Sequence, residues 1–184
     1  MHWAVPVPDA DASVDLVVHG ERLRFKGLGY HDHNWGLTSF FLDVAHTYWG
    51  HARVGPYSIS FSQALAPNDA GGLSPALSIN VAKDKKELFL NCDEGALLIR
   101  PWGENSEYPP TVATGPPTGL DMQIDLGPEG KMRLNITSEV LLVNNANLYH
   151  RFIGSVEGVL DGPTGAQKLE GKALYEQFKL IPAS

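Results

Sequence analysis

Met122-Gln123-Ile124-Asp125-Leu126 alternates apolar and polar side chains, Gly127-Pro128-Glu129-Gly130 turns the chain, and Met132-Arg133-Leu134-Asn135-Ile136 resumes the alternation. A period of two places every second side chain on one face, the pattern of a half-buried strand. Two such runs joined by a Gly/Pro turn predict an antiparallel hairpin. Outward from this pair the same texture recurs. Upstream lie runs at 47–54, 57–65, 76–82, 87–92 and 96–101; downstream lie 149–160 and 171–180. Near the start, Val14-Asp15-Leu16-Val17-Val18 and Leu23-Arg24-Phe25 flank His19-Gly20-Glu21-Arg22, a further hairpin with glycine at its turn. The inventory is about eight to ten strands. The only helical signal is a short turn near 36–43.

Short strands separated by turns favour an all-β sandwich or a closed antiparallel barrel. Consecutive hairpins favour an up-and-down barrel, whose interior can hold one small ligand. The expected organisation is a lead-in hairpin and motif loop over 1–44, followed by a barrel over 45–184, in one compact domain overall. Two loops stand out: the turn-rich 66–72, and 103–119, which should cross the surface or cover an opening. Lys83-Asp84-Lys85-Lys86-Glu87 reads as a solvated hairpin turn, and the sequon Asn135-Ile136-Thr137 as part of a strand.

Composition narrows the function classes. The chain has 184 residues, of which 43% are hydrophobic and 19% charged, so it can bury a core, and neither disorder nor a disulfide scaffold is expected. A formal charge of −7 repels phosphate backbones and disfavours nucleic acid as a partner. The single cysteine, Cys92, is expected as a small buried strand residue. No apolar run approaches the length of a membrane span, and a cytoplasmic protein is expected. Phosphate-binding Gly-rich loops, Gly-x-Ser-x-Gly elbows and Cys-x-x-Cys pairs are missing from the sequence.

The chemistry concentrates in Gly29-Tyr30-His31-Asp32-His33-Asn34-Trp35-Gly36. On an extended strand His31 and His33 share a face, a spacing that also suits metal binding. A metal site would need further ligands, for which His46, His51 and His150 are available. Two other readings stand beside it. In one, Asp32 orients an imidazole, Asn34 satisfies backbone groups and Trp35 packs beneath. In the other, His31 or His33 acts on a bound substrate as donor or general acid–base. Among the other aromatics, Tyr48 and Gly50 share one strand face and Trp49 and His51 the other. Tyr57, Ile59 and Phe61 share a face expected to point inward, with Ser58, Ser60 and Ser62 solvated. Trp102 begins the long loop, as a lid or an anchor.

The string Gly29 to Gly36, with Trp3-Ala4-Val5-Pro6-Val7-Pro8 before it and Tyr48-Trp49-Gly50 after it, resembles the lipocalin-like proteins grouped with hydroxyneurosporene synthase (carotenoid 1,2-hydratase). Within that group it is most similar to the fungal branch that includes Diels–Alderases. The resemblance implies a calycin-type antiparallel barrel and corresponds to the second of two lipocalin-like domains, so an amino-terminal domain is expected to be missing here. It further implies an enzyme without a cofactor or a metal, a pericyclase closing an intramolecular or hetero Diels–Alder ring in fungal secondary metabolism. Its substrate would be a small apolar polyene or a quinone-methide intermediate. On that reading Tyr30, His31, Asp32 and His33 are the catalytic candidates, and Asn34, Trp35, Trp49, Tyr57, Phe61 and Trp102 the substrate-binding ones. A lone barrel would either complete its pocket as a homodimer or hold the ligand alone. The rivals are a hydratase, dehydratase or isomerase of a terpenoid or polyene, and a non-catalytic carrier of a hydrophobic metabolite. A metal-dependent barrel rests on the His-x-His pair alone.

Overall fold

The computed structural model describes residues 2–67 and 75–181; residues 68–72 of the turn-rich 66–72 stretch lie outside them. The chain forms two compact units, Met1–Leu37 and Thr38–Ser184.

The first unit is one long hairpin of β1 (His2–Val18) and β2 (Glu21–Trp35). His19 and Gly20 both take positive φ (50° and 85°), the backbone twist that a two-residue hairpin turn requires. The strands run well beyond the expected 14–18 and 23–25. The motif Gly29 to Trp35 is therefore strand and not loop, because its mixture of polar and aromatic residues hides the alternation. Pairing slips between Ala4 and Val7 and again between Val7 and Ala10, around Pro6 and Pro8, which have no N–H to give the ladder. Register places Val14 opposite Phe25 and Leu16 opposite Leu23, making one face apolar. The other face carries Asp15, whose carboxylate accepts from Arg22 (2.8 and 2.7 Å) and Arg24 (3.2 and 2.6 Å). The apolar face is open: Leu16, Leu23 and Phe25 are 42%, 44% and 56% exposed.

The second unit begins with a single helical turn, α1 (Phe40–Asp43), whose Phe40 packs edge-on against Phe178 at 4.8 Å. Nine antiparallel strands follow: β3 (His46–Val54), β4 (Tyr57–Leu65), β5 (Ala76–Lys83), β6 (Lys86–Asn91), β7 (Leu97–Trp102), β8 (Gly119–Asp125), β9 (Lys131–Asn145), β10 (Tyr149–Gly162) and β11 (Gly165–Lys179). Their order, β6-β5-β4-β3-β11-β10-β9-β8-β7, is a meander in which the last strand returns to pair with the first. This is a lipocalin-like barrel, left without a ladder between β6 and β7. Inward side chains fill it. Tyr48, Ile59, Phe61, Ile79, Ile99, Met122, Met132, Phe152 and Tyr175 are each at most 1% exposed. Gly50 is required there, since a Cβ would lie 2.4 Å from the Phe61 ring.

Across the unpaired seam Gln63 of β4 replaces the missing ladder. Its Oε1 accepts from Ile99 N–H of β7 (3.0 Å), and its Nε2 donates to the Ile99 carbonyl (3.3 Å). A cleft of about 430 Å³ opens beside this bridge, lined by Leu77, Leu97, Arg100 and Ile124 among others.

Two expectations are corrected. Cys92 follows β6 and is exposed, because the strand stops one residue earlier. Ser58 and Ser60 lie opposite the inward Tyr57, Ile59 and Phe61 yet are themselves buried, Ser58 sharing a hydrogen bond with His51 Nε2 (3.0 Å). The charged turn at Asp84 and Lys85 is as read, with both residues at positive φ.

Candidate functional site

The hairpin presents the motif in two layers. Tyr30 and Asp32 lie on the face of Trp3. The Asp32 carboxylate accepts from Trp3 Nε1 (2.9 Å) and from the Tyr30 hydroxyl (3.3 Å). Asp32 is thereby held by two neutral donors, and neither of them is an imidazole. On the opposite face Trp35 makes stacked contacts with two imidazoles, His33 on its own strand (5.4 Å, 22°) and His2 across the ladder (5.4 Å, 16°). His31, His33, Asn34 and Trp35 are all exposed, so the stacked rings and their N–H groups face outward. Among the described residues no three of His, Cys, Asp and Glu gather into a group that could hold a metal ion.

The remaining candidates lie on the barrel. Trp49 is half-buried on β3. Tyr57 and Phe61 belong to the core at 3% and 0% exposure, so Phe61 has no free surface with which to meet a ligand. Trp102 closes β7 as an anchor. Its Nε1 donates to the Ile136 carbonyl (3.3 Å), and its ring occupies the space above Gly119, where a Cβ would come within 2.6 Å of that nitrogen.

Sequence reading missed a second polar cluster, at one end of the barrel interior. His46 and Lys179 are register partners on β3 and β11, and Gln177 pairs with both Tyr48 and His150. Each of His46, Tyr48, His150, Gln177 and Lys179 is 0% exposed. Gln177 donates from Nε2 to the Tyr48 hydroxyl (3.3 Å), so its oxygen faces His150 Nδ1 (3.0 Å). That contact puts the His150 proton on Nδ1 and leaves Nε2 a lone pair without a protein partner. Neither ring nitrogen of His46 has a protein partner. Burial, then Lys179, then Arg100, push its imidazole down to about 3, so it is neutral. Burial also lowers Lys179 to about 8 and raises the Tyr48 hydroxyl, while Glu107 partly restores Lys179.

The long loop closes over this end. Lys179 Nζ donates to the Thr114 carbonyl, Val112 N–H to the Ile181 carbonyl (2.8 Å), and Tyr108 accepts from Gln63 Nε2 (3.0 Å) with the Arg100 guanidinium over its ring at 3.8 Å. Of the two expectations for 103–119, crossing the surface or covering an opening, these contacts fit the second. The signal for the cluster was present in Tyr175-Glu176-Gln177-Phe178-Lys179: a period of two puts lysine on the face of Tyr175. It is legible only once that face is known to point inward.

An antiparallel lipocalin-like barrel with a separate motif-bearing hairpin defines the class of protein. Within that class the chain belongs to the Diels-Alderase-like family, whose model matches residues 1–93. It is 38% identical over 179 residues to the quinolone epoxide rearrangement protein penF of Penicillium thymicola, covering 97% of this chain and 47% of that protein. It is 33% identical, over the same shares, to asqO of Emericella nidulans, also a quinolone epoxide rearrangement protein. The chain thus spans about half the length of these relatives. In fold it is similar to CghA, crystallised with Sch210972 (TM-score 0.71, 13% identity, all of this chain and 55% of that one). Kievitone hydratase from Nectria haematococca is also similar (TM-score 0.60, 19% identity, 95% of this chain and 52% of that one). Among the described residues no helix is long and apolar enough to cross a membrane.

Proposed function

We propose that this chain serves a pericyclase that closes a ring in a small, largely apolar polyene or quinone-methide intermediate, without a cofactor. The observation that carries this reading is the outward-facing stack of His33, Trp35 and His2 on the motif strand. A cycloaddition needs no covalent nucleophile. It needs diene and dienophile held in one folded conformer, so that ordering is met by binding before the barrier. Trp35 supplies a flat apolar wall for that conformer, and Asn34 lies beside it on the same strand. An imidazole N–H of His31 or His33 can donate to a substrate carbonyl and strengthen as charge develops there in the transition state. Tyr30 and Asp32, locked together with Trp3, fix the strand that carries these donors.

The test is substitution of Trp35 by Ala. Turnover should fall about tenfold or more with an altered stereoisomer ratio, the expected loss when a pose-setting contact is removed. Unchanged rate and stereochemistry would exclude the hairpin as the substrate surface.

A rearrangement of the kind named for the 38%- and 33%-identical relatives is the second reading. It requires a proton donor at an oxygen, and its rate would then follow the titration of that donor.

The open apolar face of the hairpin supports a homodimer for this chain by itself. Leu16, Leu23 and Phe25 are side chains that a two-stranded ribbon cannot bury alone.

A further inference from the structure

The capped end of the barrel contains more hydrogen-bonding capacity than the protein uses. His46 Nδ1 and Nε2 and His150 Nε2 have no protein partner although both residues are 0% exposed. Leaving such groups dry and unpaired is costly, because their lost hydration is not replaced. His46 on β3, His150 on β10 and Glu107 on the loop interact electrostatically with Lys179, and Arg100 on β7 acts on His46 and on Tyr48 of β3, which also feels Tyr108 of the loop. Both imidazoles are held below their ordinary values by burial, and the tyrosines are held above theirs. Two cations therefore face one carboxylate. Lys179 Nζ is hydrogen-bonded to the Thr114 carbonyl, an uncharged oxygen belonging to the covering loop. A buried ammonium is poorly compensated by a carbonyl alone and is much better matched by an anion.

We propose that this end of the barrel is a binding site for the oxyanion, carboxylate or enolate, of an acidic but otherwise apolar small molecule. The oxyanion takes the place of the Thr114 carbonyl on Lys179 Nζ and accepts a second hydrogen bond from the N–H of His46. The covering loop gives way at Thr114 when the ligand enters. The proposal adds an acidic oxygen to the substrate of the cyclase reading, and its test needs no turnover, so the two fail separately.

Two anions serve as probes, 2-naphthoate and 4-hydroxycoumarin, each compared with its neutral methyl derivative by titration calorimetry. At least one anion should bind the intact chain tenfold or more tightly than its neutral counterpart. Lys179→Met should abolish that preference and Lys179→Arg should retain it. His46→Leu should weaken it about tenfold to a hundredfold, as expected for loss of one hydrogen bond to a charged group. Affinity should also fall between pH 7 and 9.5 as Lys179 loses its proton, a dependence that Lys179→Met removes. Thermal melts of each variant establish that it is folded. A preference for 2-naphthoate alone identifies the site with carboxylates, and one for 4-hydroxycoumarin alone with enolates. Equal binding of anion and neutral derivative, or a preference that survives Lys179→Met, overturns the proposal.

Discussion

Lys179 and His46 are the residues whose chemistry the barrel alters most. Both are bases with lowered folded-state values, so in each case the unfolded chain holds the proton more tightly. For Lys179 that difference spans pH 8 to 10.5. Stability should rise with pH across this window, because the burial penalty on the ammonium disappears as the folded state deprotonates. The gain is on the order of 2 kcal/mol by pH 10. For His46 the window runs from 6.5 down to about 3, and stability should fall as pH drops through it. Chemical denaturation at pH 8 and pH 10 checks the first effect: the native chain should stabilise, and Lys179→Met should lose that slope. A slope shared by both proteins would mean that Lys179 is not the group responsible. None of this was legible in the sequence, where Lys179 is one of 14 basic residues and only the inward face of β11 distinguishes it. By contrast, the Tyr30 to Trp35 string was legible because its composition alone is unusual. Its internal bonding was not, since Asp32 takes Trp3 and Tyr30 as partners and not an imidazole.

Among the elements, β4 and β7 carry the least obvious load. With no ladder between β6 and β7, Gln63 substitutes a side-chain amide for a backbone pair, binding both the N–H and the carbonyl of Ile99. Gln63→Leu leaves the buried Ile99 N–H unpaired, while the Ile99 carbonyl keeps its bond from Arg100 Nη1 (2.7 Å), and should destabilise the barrel by about 1–3 kcal/mol. Urea unfolding monitored by tryptophan fluorescence measures it, and a loss under about 0.5 kcal/mol would show that the seam does not depend on Gln63. Strand reading from sequence worked where one face is buried and the other wet, as at β5 and β8. It understated β9 and the opening hairpin for a physical reason. Val140, Leu141 and Leu142 form an unbroken apolar run with no alternation, 40–51% exposed, and β1 is interrupted by Pro6 and Pro8. Cys92 was misread because its apolar character says nothing about where a strand ends.

For the molecule as a whole, the informative feature is an amphipathic ribbon whose apolar side is open. The proposed association through that face would bury Leu16, Leu23 and Phe25. The Asp15, Arg22 and Arg24 network lies on the opposite side, so contact leaves it in water. Light scattering at tens of micromolar should give twice 20.0 kDa for the native chain and 20.0 kDa for Phe25→Asp. Val17→Ser, on the charged face, should leave the dimer intact. A native chain of 20.0 kDa would contradict self-association through this ribbon.

The proposed role of the hairpin motif is to select a reactive conformer. Its most direct test is cyclisation of linear trienes carrying an α,β-unsaturated carbonyl, followed by chiral chromatography with the native chain, with Trp35→Ala and with buffer alone. The account predicts that the native chain accelerates ring closure and skews the stereoisomer ratio, and that Trp35→Ala returns the ratio towards that of buffer. Identical rates and ratios in all three would contradict it.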